Sequence, residues 1–258
     1  MAVEVSIKQI EQYHIMRNWT IVYENPVEII LKSRQRVLKE MRKDKSNGTT
    51  VIRYFPGVRN LAAVQFESSL KADFIRMLEF DNLVDRFVEQ PVKIKYVDSG
   101  GKKRTYTPDF IVYFTENEDG IIYQKPTLFE VSYRSQIKKD WQKLKPKFKA
   151  AIKYCDQMGW RFVIRTEKEI KTQFTENIKF LLPYLKHTPD YSTIETIILT
   201  LEELKESTPA EAISHYMKDY MRQAELVPAL WFLIGSKRVG CDLSKKLTMS
   251  SKIWMIDN

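Results

Sequence analysis

The order of short strands and helices between residues 61 and 166 limits the folds that this chain can adopt. Alternating apolar residues, β-branched residues and a Gly-Gly turn predict strands, whereas apolar residues repeating every three or four positions predict helices. The order helix, hairpin, strand, helix, strand predicts a mixed α/β sheet flanked by helices, an α+β arrangement. The predicted strands are PVKIKYVD (91–98), RTYTPDFIVYF (104–114), TLFEVSY (127–133) and WRFVIRT (160–166), and the predicted helices cover 61–88 and 136–158.

The second of these helices follows directly after the strand TLFEVSY. Its apolar residues predict a buried face. Pro146 lies inside the pattern and predicts a kink or a break, because proline removes a helical hydrogen bond. The predicted face consists of Trp141, Leu144, Phe148, Ile152 and Cys155.

From Lys171 onward the sequence is mostly helical. Predicted helices over 170–185, 192–204, 208–221 and 224–237 precede RVGCDLSKKLTMSSKIWMID, which is predicted to form two short strands. The last three of these helices and a hairpin predict a winged-helix shape. We therefore divide the chain into an N-terminal arm or peripheral helical layer (1–58), a sheet domain (59–170) and a winged-helix-like domain (171–258).

Charge is distributed unevenly over these parts. The 258 residues include 42 Lys and Arg against 33 Asp and Glu, a formal charge of +9. Residues 1–58 carry 10 basic and 6 acidic side chains, residues 59–170 carry 21 and 16, and residues 171–258 carry 11 and 11. A basic excess indicates an anionic partner, most often nucleic acid. We expect DNA to contact the first two thirds and proteins to contact the last third.

Other classes of protein are disfavoured. Two cysteines, Cys155 and Cys241, cannot form a disulfide framework or a cysteine zinc cluster. No stretch approaches the ~20 apolar residues that span a bilayer, and the N-terminus lacks the pattern of a signal peptide. We therefore expect a protein of the bacterial cytoplasm, with no membrane partner.

Three carboxylates lie on elements that are predicted to be neighbours. Asp109 and Glu130 lie on two strands, and Glu67 lies on the preceding helix. Such a set suits Mg²⁺, which takes one or two carboxylates together with substrate phosphate. The spacing alone is a weak signal, because an Asp after a proline is also common in turns and a strand Glu often faces solvent.

In several stretches the sequence resembles the TnsA family, the endonuclease subunits of heteromeric bacterial DNA transposases. The stretches occur in order along nearly the whole chain. They are ESSLKADFIRMLEFDNLV (67–84), EQPVKI (89–94), YTPDFIVYF (106–114), FEVSYRSQIKKDWQKLKPKFKAAIKYC (129–155), GWRFVIRTEKEI (159–170), NIKFLLPY (177–184) and LVPALWFLIGSKRVGCDLSKKLTMSSKIW (226–254).

The resemblance implies a restriction-endonuclease fold with a PD…(D/E)xK core, followed by a winged-helix-like domain. It also implies nicking, with Mg²⁺ or Mn²⁺ as cofactor, of the strand at the transposon ends that the partner transposase TnsB does not join. The C-terminal domain is implied to contact the AAA+ regulator TnsC.

The resemblance assigns Asp109 and Glu130 as metal ligands, with the carbonyl of Val131 as a third. Two positions depart from the family pattern. Ser132 stands where the family usually has the motif lysine, and Lys71 stands where the helix pattern usually ends in Glu. The first glutamate of that helix pattern, Glu67, is present. The predicted catalytic residues are Glu67, Lys71, Asp109, Glu130 and Ser132.

The departures leave two interpretations open. Glu67 and Lys71 are four residues apart and face the same way on a helix, so Lys71 can supply the missing ammonium. Arg134, two residues after Ser132 and expected on the same strand face, is a second candidate cation. Alternatively, Ser132 marks an impaired nuclease that acts as a DNA-binding and assembly factor. A stand-alone restriction or junction-resolving nuclease is a further alternative.

The helix after the motif strand is rich in lysines, and we expect several of them to contact phosphates. The predicted DNA-binding residues are Arg134, Lys138, Lys139, Lys143, Lys147 and Lys149. By contrast, the helix AELVPALWFLIGSK (224–237) is largely apolar, and we expect an exposed apolar surface on it to bind a protein partner.

Overall fold

A computed structural model describes residues 52–54, 69–115, 124–216 and 220–256 of the chain. Glu67 and the predicted N-terminal arm, apart from residues 52–54, lie outside the described residues. Within the described ranges, no helix combines the length and the apolar character needed to cross a bilayer.

A five-stranded mixed sheet forms the centre of the first half, in the order β1-β2-β5-β6-β7. Neighbouring strands are antiparallel except for β6 and β7, which are parallel. The parallel pair requires a crossover, and a long helix between the two strands provides it. The strands are β1 (Ile52–Tyr54), β2 (Val84–Glu89), β5 (Phe110–Phe114), β6 (Thr127–Val131) and β7 (Arg161–Arg165).

One helix packs on each face of this sheet. Helix α1 (Ser69–Phe80) buries Phe74 against Phe110 and Phe129, with ring centroids 5.5 and 5.1 Å apart. Helix α2 (Arg134–Met158) buries Ala151 and Cys155 against the opposite face. The predicted flanked sheet is thereby confirmed.

The long helix predicted over 61–88 is wrong in its second half. Helix α1 ends at Phe80, and Val84–Glu89 is strand β2. The Asp81 carboxylate accepts a hydrogen bond of 2.9 Å from the Leu83 amide, and such an Asx turn competes with helix continuation. After the turn, the β-branched and aromatic residues of β2 pair with β5.

The returning strand predicted over 104–114 is two strands that belong to different sheets. Strand β4 (Lys103–Tyr106) pairs with β3 (Ile94–Val97) in a separate hairpin, and β5 begins at Phe110. Pro108 lies between them and has no amide proton to donate to a ladder, so the chain can change sheets there.

Helix α2 differs from the prediction in its break and in its buried face. The backbone leaves helical geometry at Asp140 (φ −103°, ψ 15°), and the helix continues through Pro146. Phe148, Ala151 and Cys155 are buried, whereas Ile152 is 45 % exposed. Burial raises the pKa of the Cys155 thiol to about 11, so this thiol stays protonated at neutral pH.

The second half contains helices and a three-stranded antiparallel sheet in the order β8-β10-β9. The helix predicted over 170–185 is three shorter pieces, because Thr172 caps a new helix and Pro183 lies in a 3₁₀ turn. The elements are α3 (Glu167–Ile170), α4 (Gln173–Leu181), a 3₁₀ turn (Leu182–Lys186), α5 (Tyr191–Leu204), β8 (Glu206–Ser207), α6 (Pro209–Tyr216), α7 (Tyr220–Gly235), β9 (Val239–Cys241) and β10 (Ile253–Met255).

Helix α7 is a core helix, which corrects the expectation of an exposed apolar surface there. Leu226, Leu230, Leu233 and Ile234 are buried in the core of the second half. Its apolar sequence reflects packing against α4, α5 and α6, and residues 223–235, whose burial the structure describes, leave little apolar surface to dock a partner.

The two halves share a packed boundary along α1. Phe80, the last residue of α1, belongs to the core of the second half and meets the Phe174 ring edge-on, with centroids 6.1 Å apart. Buried Asp73 forms ion pairs with Arg76 at 2.7 Å and with Lys179 of α4 at 3.0 Å. Helix α1 therefore contacts both the sheet and the helical half.

Candidate active site

A cleft of about 260 Å³ opens where α1 begins and where β6 ends. Strand β5 begins beside it, so the residues before β5 and the residues at the end of β6 meet there. The residues that line it are Leu70, Lys71, Asp109, Glu130, Val131, Ser132, Tyr133 and Gln136. Four predicted catalytic residues, Lys71, Asp109, Glu130 and Ser132, are therefore brought together.

Asp109 is fixed by its backbone and by its side chain. Its amide donates to the Phe129 carbonyl at 3.1 Å, and its carbonyl accepts from the Gln90 amide at 2.8 Å. Its Oδ2 accepts from the Val131 amide at 2.7 Å, and its Oδ1 lies 2.6 Å from Lys71 Nζ. The carboxylate is thus bound between the backbone of β6 and the ammonium of α1.

Glu130 is more deeply buried, and both of its oxygens accept hydrogen bonds. The Tyr106 hydroxyl donates to Oε2 at 2.7 Å, and Lys147 Nζ donates to Oε1 at 2.9 Å. Burial and the nearby Asp109 carboxylate raise the pKa of Glu130, while Lys147 opposes the increase. Burial and the Glu130 charge raise the pKa of Tyr106, so its hydroxyl remains a donor.

The two lysines approach the carboxylates from different sides. Lys71, the third residue of α1, lines the cleft. Lys147 is 18 % exposed, is absent from the cleft lining and lies 4.6 Å from the centroid of the Tyr106 ring. Lys71 is therefore the ammonium that a bound substrate would meet, and Lys147 supports Glu130 from behind.

Ser132 presents only a hydroxyl at the position of the motif lysine. Its Oγ lies 3.4 Å from Gln136 Oε1, and its amide donates to the Arg165 carbonyl at 3.1 Å. The suggestion that Arg134 shares a strand face with Ser132 is wrong, because β6 ends at Val131 and Arg134 begins α2. Arg134 does not line the cleft.

The oxygen atoms that line the cleft are of the kind that bind divalent metal ions. Asp109 and Glu130 supply hard carboxylate oxygens, and a cation would relieve the repulsion that raises the pKa of Glu130. In the described part of the chain, no group of three His, Cys, Asp or Glu residues is arranged to hold a metal. Two carboxylates with the Val131 carbonyl and substrate phosphate are enough for Mg²⁺.

The lysines predicted to contact DNA divide into two groups. Lys138, Lys139, Lys143 and Lys149 are exposed on α2, and Lys143 lies 3.6 Å from Asp140 of the same helix. Lys147 points to Glu130 instead of the solvent. The sequence did not predict that Lys147 and Tyr106 would hydrogen-bond to Glu130. A signal existed for Lys147, since it precedes the buried Ala151 by one helical repeat of four residues.

The fold and this cleft define the restriction-endonuclease-like class, in which a mixed sheet carries acidic residues at the ends of neighbouring strands. Residues 81–167 match the model of the TnsA-like endonuclease N terminal domain, and residues 169–243 match that of the TnsA endonuclease C terminal domain. The chain therefore belongs to the TnsA family of transposase endonuclease subunits. No curated protein is significantly similar to it.

Proposed function

We propose that this protein is a Mg²⁺-dependent DNA endonuclease that nicks the non-transferred strand at transposon ends during cut-and-paste transposition. The observation that supports this most directly is the 2.6 Å contact between Lys71 Nζ and Asp109 Oδ1 in the cleft that Glu130 also lines. A carboxylate pair and an ammonium are the groups that hydrolysis of a phosphodiester needs.

In this proposal the carboxylates of Asp109 and Glu130 and the carbonyl of Val131 hold Mg²⁺, for which Mn²⁺ substitutes. The bound ion supplies Lewis-acid activation of the phosphodiester and of an attacking water. The Lys71 ammonium, which lies 2.6 Å from Asp109 Oδ1 in the cleft, would stabilise the negative charge that develops on the scissile phosphate. The Val131 amide keeps Asp109 Oδ2 in place throughout.

Substitution of Lys71 tests this assignment. Lys71→Ala should lower Mg²⁺-dependent nicking roughly 100- to 1,000-fold, since a donor aimed at developing charge contributes about that factor. Nicking is measured on transposon-end DNA with the partner subunits present, and circular dichroism checks the fold. Lys153→Ala, which removes an exposed lysine that lies outside the cleft and is not a predicted DNA contact, is the matched control. Nicking at the wild-type rate in Lys71→Ala contradicts the role of Lys71.

A second candidate function is an impaired relative that binds DNA and assembles the complex without cutting. Ser132 favours it, because the hydroxyl reaches only Gln136 among the described side chains and cannot replace an ammonium. The double variant Lys71→Ala/Ser132→Lys separates the two. If Lys71 is the working ammonium, this double variant recovers part of the nicking lost in Lys71→Ala. If the wild type never nicks and Ser132→Lys alone creates activity, the chain is the impaired relative.

The remaining alternative is a stand-alone nuclease, which differs from the proposed function in that it needs no partner proteins. We propose TnsB-type transposase and TnsC-type AAA+ ATPase as partners, with action in the bacterial cytoplasm. The second half is the proposed partner domain of winged-helix type, a topology supported by the order α5, β8, α6, α7, β9, β10 and by a sheet in the order β8-β10-β9. Nicking by the isolated chain at the rate seen with partners would indicate a stand-alone enzyme.

A further inference from the structure

The β3–β4 hairpin (residues 93–106) has a buried face and a basic face. Strand pairing places Ile94 opposite Tyr106, and both side chains are buried against α2. Side chains alternate along a strand, so the intervening residues face away from α2. Lys95, opposite Thr105, and Lys103, opposite Val97, lie on this outer face, and Lys93 precedes β3 in the same alternation.

The charge of this hairpin is not balanced locally. Residues 93–104 contain five basic side chains and a single acidic one, Asp98. Asp98 is occupied by the turn, because its Oδ1 accepts from the amides of Gly100 and Lys102. Its Oδ2 accepts from Arg104 Nε at 3.0 Å.

The four lysines of the hairpin carry the remaining charge. In the described ranges, no acidic side chain forms an ion pair with Lys93, Lys95, Lys102 or Lys103. All four are exposed. Such a row of like charges repels itself in the free protein, and an anion that binds along it relieves that repulsion.

The hairpin is connected to the cleft by a hydrogen bond and by the chain itself. Tyr106, the last residue of β4, donates its hydroxyl to Glu130, and Asp109 follows three residues later. A strand advances roughly 3.3 Å per residue, so the turn at Gly100–Gly101 lies roughly 20 Å beyond Tyr106. A polyanion on the basic face would therefore be held at a fixed position relative to the two carboxylates.

We infer that the outer face of the β3–β4 hairpin is a second DNA contact, which binds the phosphate backbone of duplex DNA beside the cleft. This inference rests on the proposed function, since it takes the substrate to be DNA. The contact is independent of base sequence, because lysines on an open strand face meet phosphates and do not read base edges. An acidic surface of a partner protein is the competing occupant and is an outcome of the test.

The test is the salt dependence of DNA binding by the full chain. The hairpin variant carries Lys93→Gln, Lys95→Gln and Lys103→Gln, and the control variant carries Lys186→Gln, Lys205→Gln and Lys246→Gln. The control lysines are also exposed and form no ion pair with a described residue, but they lie in the electrically balanced second half. Fluorescence anisotropy with a labelled duplex, in chelator to prevent cutting, gives the dissociation constant at several salt concentrations.

Each lost phosphate contact lowers the slope of log affinity against log salt by roughly one unit. The hairpin variant should therefore lose about two to three units of slope, and the control variant should keep the wild-type slope. Equal slopes in the wild type and the hairpin variant overturn the inference, as do equal losses in both variants. Retained DNA binding with loss of binding to the partner subunits also overturns it and identifies an acidic protein surface.

The proposed function is measured separately, by nicking in the complete complex. If the wild-type complex nicks DNA while the hairpin variant binds duplex as the wild type does, only the hairpin inference fails. If the wild-type complex never nicks while the hairpin variant shows the lowered slope, the inference stands and the nuclease proposal fails.

Discussion

Asp109 and Glu130 line one cleft but differ in how they are held. Asp109 shares one oxygen with a lysine of the cleft and the other with the backbone of β6. Glu130 is held by Tyr106 and Lys147, which do not line the cleft. In the proposed function Asp109 and Glu130 would both hold the metal ion, and the orientation of Glu130 is set by Tyr106 and Lys147. We therefore assign Tyr106 and Lys147 as positioning residues.

The variants Tyr106→Phe and Lys147→Met test that assignment at single residues. Groups that orient a metal ligand typically change metal affinity or activity by about 10- to 100-fold when they are removed. We expect the Mg²⁺ concentration for half-maximal nicking to rise by such a factor, with much of the rate recovered at saturating Mg²⁺. Nicking is measured across a Mg²⁺ titration.

Lys153→Met, which removes an exposed lysine of the same helix that is not a predicted DNA contact, is the control. Tyr106→Phe keeps the ring packed against Phe148, so a change in this variant reports on the hydrogen bond. An unchanged half-maximal Mg²⁺ concentration in both positioning variants contradicts the assignment.

At this scale, the sequence predicted part of the site and could not predict the rest. The places of Asp109 and Glu130 on two strands were a weak signal, and the resemblance to the TnsA family assigned them. Lys71 was predicted from its spacing to Glu67 on a helix, and the structure brings Lys71, Asp109 and Glu130 into one cleft. The contacts of Tyr106 and Lys147 depend on where the hairpin and α2 cross the sheet. That crossing is set by packing of apolar residues far apart in the chain, which periodicity does not encode.

Among the elements, the alternation of helices and strands after residue 90 was predicted better than the element boundaries, and strand β2 was missed. The Asx turn at Asp81 separates α1 from β2, and Pro108 separates β4 from β5. In each case one residue with a local backbone effect outweighed the apolar pattern that continues across it. The helical spacing over 61–88 persists into β2, where Val84 and Phe87 are three residues apart and are buried in the same core. A register shift in the pairing with β5, between Val84 and Arg86, lets strand β2 bury both side chains on one face.

The small sheet of the second half depends on a close approach at Gly240. Gly240 pairs with Trp254 across strands β9 and β10, and a Cβ at position 240 would overlap the indole ring of Trp254. Gly240→Ala should therefore lower the free energy of unfolding by about 1–3 kcal/mol, the usual cost of overpacking. Chemical denaturation measures it.

Gly100→Ala is the matched control, since a Cβ there would meet only Asp98 Oδ1 at an ordinary 3.4 Å. A smaller loss for Gly240→Ala than for Gly100→Ala would show that the indole ring can move aside without cost.

At the scale of the whole molecule, the two halves are joined through apolar packing as well as charge. Phe80 leaves the sheet half and enters the core of the helical half, and the Lys237 ammonium lies 4.8 Å from the centroid of its ring. Asp73 pairs with Lys179 across the same boundary. These contacts indicate that the halves unfold together.

Phe80→Ala tests this cooperativity. The cavity should cost about 3–5 kcal/mol, which for a chain of this size lowers the melting temperature by roughly 6–20 °C. Scanning calorimetry should show one transition, moved as a whole to lower temperature. A second transition that stays at the wild-type temperature would mean that the halves unfold separately.

Helix α1 has a further consequence for how this sequence tolerates change. Seven of its 12 residues are buried, and only Ser69 is classed as exposed. One side packs on the sheet, its first turn supplies the ammonium of the cleft, and its last residue fills the core of the other half. Most helices in a protein of this type have a solvent face on which substitutions accumulate freely. Helix α1 has almost no such face, so amino-acid substitutions among family members should accumulate most slowly in its three turns.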